Sequence, residues 1–166
     1  NKLSEELNPL DYEESGKTLA EKLRGRAPII YASNRNTGIA YTWKIKLNET
    51  GKVPAFYNIF PELNHNEMNA FDVKEPTKEL CNNFHFIFLK DKEDRPQIRK
   101  RMEVLEKLYK NRGLKVETVQ LESKNVWHKI FSSIMLADWT AYYTSQGYGL
   151  DPEQVPMVEE FKKLIS

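Results

Sequence analysis

The chain has 166 residues, with 25 basic and 24 acidic side chains for a net charge of +1, and its content is 40% hydrophobic and 11% aromatic. That length suits one domain able to bury roughly 70% of its unfolded surface, and the balanced charge gives no nucleic-acid footprint. The single cysteine, Cys81, excludes an internal disulfide framework and suits a reducing compartment. No apolar run reaches the ~18 residues needed to span a bilayer, and no signal-like segment opens the chain. The expectation is a cytoplasmic protein with neither nucleic acid nor membrane as partner. The chain begins at Asn1 rather than Met, as expected of a processed product or an excised domain.

Residues 1–11 are polar and broken by Pro9, as in a linker or lead-in segment. A first helix is predicted over 12–24, with Leu19 and Leu23 one turn apart and Gly25 past its end; Gly16 weakens the pattern. Pro28-Ile29-Ile30-Tyr31-Ala32 is a short apolar run, the pattern of a strand covered on both faces. The polar loop 33–38 follows, then a helix to about Asn48 with Ala40, Trp43 and Leu47 as its buried stripe. Strand, loop and helix in that order open a βαβ unit. Exposed N–H groups at such a helix start favour anions, but without a Gly-rich fingerprint the loop also reads as a plain connection.

A second strand is predicted over 53–60, a short helix over 64–71, and a third strand at FHFIFL, residues 84–89. Asp94 is placed to cap the next helix, in which Ile98, Met102, Leu105 and Tyr109 form the apolar stripe and Gly113 is the stop. Arg95, Arg99, Lys100 and Arg101 read as its solvated face. A strand over 114–121, a long helix over 125–146, a turn at Asp151-Pro152 and a closing helix over 157–165 complete the chain. Strands and helices in alternation imply right-handed crossovers and a parallel sheet with helices on both faces. Ligands of such sheets sit beyond the carboxyl ends of the strands, and Glu49 and His65 both fall near strand–helix junctions.

Two residues have the chemistry of proton transfer. Glu49 closes a predicted helix, with Gly51 as the expected left-handed residue after it. The negative end of the macrodipole favours the protonated form of a carboxylate there and so makes a stronger base; a plain surface glutamate fits the same position. His65 lies in the polar phrase Asn64-His65-Asn66-Glu67 and is no evident core histidine, whereas His85 reads as a core or strand-end residue and His128 as a surface or packing one. There is no HExxH, paired-cysteine or GxSxG pattern, so neither a metal centre nor an acyl-transfer nucleophile is expected.

The run PAFYNIFPELNHNEMNAF, preceded by WKIKLNETGK, resembles the bifunctional phosphoglucose/phosphomannose isomerase family of sugar isomerase (SIS) domain enzymes. The likeness extends to the strand APIIYAS, to Leu136-Ala137-Asp138 and to the ending YGLDPEQVPMVEEFKKL. It implies an α/β fold, a SIS-type three-layer α/β/α sandwich with a mostly parallel sheet of four to five strands over residues 12–166. Enzymes of the family carry two such domains, and this chain resembles the second. The first, which brings a Ser/Thr phosphate loop and a catalytic arginine, is absent from the sequence.

By the resemblance, Glu49 matches the family's general base, in a phrase where Thr50-Gly51 departs from the usual Asn-Ala. His65 matches the histidine given to the neighbouring subunit's site, and Lys162, with Lys163 as fallback, matches the lysine near the C-terminus. The stretch Glu153-Gln154-Val155-Pro156 lacks the family's threonine, a departure that bears on the mannose branch. The implied activity is aldose–ketose isomerisation of hexose 6-phosphates by a homodimer with a phosphosugar substrate and no cofactor. A non-catalytic phosphosugar-binding SIS module and a dimerisation domain fit the same residues.

Overall fold

The computed structural model describes residues 6–121 and 125–166. Four strands, β1 (Ala27–Ser33), β2 (Phe56–Phe60), β3 (Phe84–Lys90) and β4 (Lys115–Gln120), form one sheet in the order β2-β1-β3-β4. Every pairing is parallel: Ser33 lies opposite Phe60, Ala27 opposite Phe84 and His85 opposite Lys115. The helices are α1 (Glu13–Leu23), α2 (Thr37–Glu49), α3 (Pro96–Asn111), α4 (Val126–Gly147) and α5 (Pro156–Ile165).

The side chains divide into two cores, one on each face of the sheet. On the first face, Ile30, Ala32, Ile87 and Leu89 meet Leu19 and Leu23 of α1, Trp43 and Leu47 of α2, and Ala137 and Ala141 of α4. On the second, Tyr31, Phe86 and Phe88 meet Met102, Leu105 and Tyr109 of α3, with Leu63, Phe71 and Cys81 from the β2–β3 connection. Alternate residues of β1 and β3 thus enter opposite cores, which explains why both strands are apolar on both faces, with His85 the exception within β3. This is the three-layer α/β/α sandwich with a four-stranded parallel sheet.

Gly16 earns its place by contact. A Cβ on it would lie 2.4 Å from Trp139 Cβ and 2.9 Å from the Thr140 backbone nitrogen, so α1 and α4 approach this closely only because the side chain is absent. Gly16→Ala gains helix propensity yet should cost about 1–3 kcal/mol through overpacking, read as a lower urea midpoint with an unchanged slope. The stretch read as a lead-in is docked from Leu7, which is buried, while Pro9 accepts a 2.8 Å hydrogen bond from Trp139 Nε1. Residues 1–5 lie outside the described residues.

Several local expectations need correction. The second strand begins only at Phe56, because Val53–Ala55 is tied back onto α2: Val53 donates to Leu47 O, and Asn48 Nδ2 donates to Val53 O. The helix expected over 64–71 is two single turns, Glu62–Asn64 and Glu67–Ala70. Asp94 does not cap α3, whose N-cap is Arg95 without a side-chain bond; its carboxylate is engaged elsewhere. The left-handed residue after α2 is Lys52, at φ 58°, not Gly51. Gly51 is there because a Cβ would meet Leu47 O at 2.7 Å, which also explains the departure from alanine.

Candidate functional site

α2 leaves the carboxyl end of β1 and runs back along the sheet, so Glu49, its last residue, stands at the amino end of the strands. The expectation that Glu49 shares the carboxyl end with His65 is therefore corrected. Its side chain is exposed and makes no hydrogen bond or ion pair among the described residues. Lys52, in its left-handed turn, donates to Glu49 O at 2.5 Å and to Gln154 O at 2.6 Å, joining this corner to the segment before α5. The same end holds the close of α4, where Arg24 donates to Gly147 O and the Gly25 N–H to Tyr148 Oη.

Lys162 lies on α5, and the segment before that helix, at Gln154, is tied to this end. Its ammonium is 2.8 Å from Glu159 Oε1, and its side chain is 63% exposed. With 3.6 residues per turn, Lys162 lies beside Val158, Glu159 and Ile165, whereas Lys163, about 100° further round the helix, lies beside Glu159 and Glu160.

His65 follows β2 at the other end of the sheet, about 16 Å of strand away from the α2–β2 turn. Its ring is exposed and unbonded, and its backbone N–H donates to Glu62 O. What fixes the phrase is Glu67, whose carboxylate accepts from Tyr31 Oη and from Asn58 Nδ2, each at 2.5 Å. Burial, together with Tyr109 and Glu67, pushes the Tyr31 phenol far above its ordinary value, so it stays a neutral donor. Glu67 thus anchors the turn on β1 and β2 and leaves His65 projecting.

A cluster that sequence reasoning missed occupies the carboxyl ends of β1 and β3, where the strand order reverses. Ser33 donates to Asp94 Oδ1 at 2.6 Å, Asn36 Nδ2 donates to Ser33 Oγ and to Asp91 Oδ2, and Lys129 Nζ donates to Asp91 Oδ2 at 2.7 Å. Arg35 pairs with Glu93 at 2.7 Å. The one signal in the sequence was Lys129, a lysine on the same side of α4 as apolar Val126 and Ile130. A cleft of about 600 Å³ opens here, lined among others by Ser33, Arg35, Phe60, Pro61, Asp94 and Arg95. Such a reversal is where ligands of open α/β sheets bind, yet neither Glu49, His65 nor Lys162 lines it.

The two aspartates titrate in opposite directions. Burial works against ionising Asp91, but bonds from Lys129, the Glu93 N–H and Asn36 outweigh it and hold the carboxyl below its ordinary value. Burial dominates at Asp94 and, with the Asp91 charge, raises it despite the Ser33 bond. A carboxyl raised in the fold stabilises below its unfolded value, and that contribution is lost as pH rises through the folded one. Asp94→Asn, which can still accept from Ser33, should therefore raise the melting temperature at neutral pH. The gain should shrink to nothing in acid, below about pH 4, and a pH series of thermal melts measures it.

Two further histidines, buried His85 and half-buried His128, stay outside this chemistry. His85 is 3% exposed, and burial holds it below the ordinary imidazole value. His128 begins α4, where Asn125 caps its N–H at 2.9 Å. Among the described residues no group of His, Cys, Asp or Glu side chains could hold a metal ion, and no helix is long and apolar enough to cross a membrane.

Comparison with known proteins matches the chain to one family model, bacterial phospho-glucose isomerase C-terminal SIS domain, over residues 12–165. The chain is 29% identical to the bifunctional phosphoglucose/phosphomannose isomerase of Aquifex aeolicus, over 97% of the chain and 48% of that protein. It is 33% identical to the enzyme of the same description from Thermoplasma volcanium, over 94% of the chain and 49% of that protein. It therefore spans about half the length of these relatives. Among solved structures, a glucose-6-phosphate isomerase like protein from Thermus thermophilus superposes with a TM-score of 0.65 at 18% identity, covering 84% of this chain and 45% of that one. Tagatose-6-phosphate ketose/aldose isomerase from Escherichia coli gives 0.60 at 17% identity, covering 87% and 44%. At these identities the structures speak for the fold alone.

Proposed function

The chain belongs to the bacterial phospho-glucose isomerase C-terminal SIS domain family, and from that premise we propose that it is the base-bearing half of a hexose 6-phosphate aldose–ketose isomerase. Residues 12–166 are the one SIS domain, led in by residues 1–11. A preceding SIS domain supplies the phosphate loop, and glucose 6-phosphate or mannose 6-phosphate is converted to fructose 6-phosphate.

The chemistry follows from the groups available. With the ring opened, Glu49 takes the proton from C2 of the aldose while the C1 carbonyl oxygen gains one from water, giving a planar cis-enediol(ate). The same carboxyl returns its proton to C1 while the C2 hydroxyl gives its proton to water and becomes the ketone, so the oxygen-bound protons balance. One carboxylate reaches both carbons because the intermediate is planar. Lys162 and His65 handle the ring oxygen and the anomeric hydroxyl during ring opening. No redox or organic cofactor is required to balance these steps.

The observation that carries this reading is the placement of the three residues. Glu49 and the root of α5 share the amino end of the sheet and His65 occupies the other, so a chain of this fold cannot close Glu49 and His65 around one sugar by itself. A homodimer resolves this if His65 enters the neighbour's site. Complementation tests it in the two-domain enzyme. Glu49→Gln and His65→Ala proteins, each inactive alone, should recover about a quarter of native turnover after random re-pairing of a two-fold dimer. If His65 served its own chain's site, re-pairing would restore nothing.

A further inference from the structure

α5 is the only one of the five long helices without a buried residue among the described residues. Met157 is 81% exposed, Phe161 59%, Leu164 78% and Ile165 67%, with Val158 at 47%. These positions fall on one stripe of the helix, and Glu159, Glu160, Lys162 and Lys163 fall off it. A contiguous apolar stripe in water marks a surface meant to be covered. Nothing in the described chain covers it, and the segment leading into α5 is tied to the domain by Lys52 donating to Gln154 O.

We propose that the apolar stripe of α5 is the docking surface for the preceding SIS domain of the same polypeptide. The proposal rests on the functional reading above, and the length of the relatives names that occupant, with the position of Glu49 in agreement. The chain spans 48% and 49% of the relatives it matches, and the matching family model describes a C-terminal domain, so the length left over in those relatives is of the order of a whole domain and precedes this one. That domain has to stand opposite Glu49 to hold the phosphate of a sugar lying over the carboxylate, and Glu49 and the root of α5 are at the same end of the sheet. In a two-fold dimer the neighbour's His65 reaches this chain's Glu49 in turn, so the preceding domain and the second subunit both border that site.

Docking also accounts for which lysine acts. Lys162 flanks the stripe beside Val158 and Ile165, so covering the stripe carries its ammonium to the rim of the interface. Lys163 faces away from the stripe, beside Glu160, and stays in solvent.

Hydrogen–deuterium exchange on the longer two-domain polypeptide and on the 166-residue chain tests this. Amides of residues 157–165 should exchange at least about tenfold more slowly in the longer polypeptide, independently of protein concentration, because the docking is intramolecular. Phe161→Ser/Leu164→Ser, which alters exposed side chains only, should abolish that protection while leaving the melting temperature of the 166-residue chain unchanged. Equal exchange in both proteins overturns the proposal. So does protection in the 166-residue chain that grows with concentration, which would make a second copy the occupant. The reading of function fails separately: protected α5 amides in an enzyme that stays active as Glu49→Gln would leave the docking intact and remove the base.

Discussion

Glu49→Gln in the two-domain enzyme should lose isomerisation by at least about 10²-fold while keeping its fold and its affinity for the phosphosugar. The reason is chemical. The amide cannot accept the C2 proton, whereas its size and its place in solvent at the end of α2 are unchanged. The carboxylate makes no ion pair or hydrogen bond among the described residues, so its removal leaves no partner stranded and the melting temperature should not move. Isomerisation measured in deuterated water alongside equilibrium binding of fructose 6-phosphate separates the two effects. Near-native turnover would remove Glu49 from the mechanism; lost binding would give it a positioning role instead.

The largest stability effect is expected from Lys129→Met. Lys129 and Asp91 are each 2% exposed and pair at 2.7 Å, with Glu93 Oε2 a further 3.2 Å from the ammonium. Removing the lysine leaves a buried carboxylate held only by Asn36 and the Glu93 N–H, which typically costs about 3–5 kcal/mol. A domain has roughly 5–15 kcal/mol in total, so the urea midpoint should fall steeply. Adding Asp91→Asn should recover much of the loss by discharging the site. The sign with pH follows from the lowered Asp91 value: its stabilisation is present above the unfolded carboxylate value and is lost as pH falls through the folded one. The gap between wild type and Lys129→Met should accordingly narrow in acid. A gap independent of pH would mean that packing of the lysine stem, not its charge, is what matters.

The same two sites show where the sequence was and was not readable. The β1 and β3 runs are apolar on both faces, apart from His85 and the strand ends Ser33 and Lys90, because both faces are covered, and that pattern is visible in one dimension. The stop at Gly113 is equally local, since it is decided by a backbone torsion. Asp94 was misread because its Ser33 partner is 61 residues away, and a local cap is the default for an aspartate just before a helix. Gly16 was read as a weakness because the side chains that need it absent belong to α4, more than a hundred residues on.

Glu49, His65 and Lys162 could be named from the chain alone, since the phrases around them carry the resemblance residue by residue. Their arrangement could not. Sequence spacing counts residues but carries no direction, and α2 must run back along the sheet to let β2 pair in parallel with β1. That return places Glu49 at one end of the strands and His65 at the other, however near they are in the chain. The sequence by itself determined the layers and the parallel sheet, because these follow from local periodicity, and it named the candidate proton-transfer groups through short motifs that carry the resemblance. Only the tertiary structure decided that the groups face opposite ways, because that depends on the direction each element takes across the sheet.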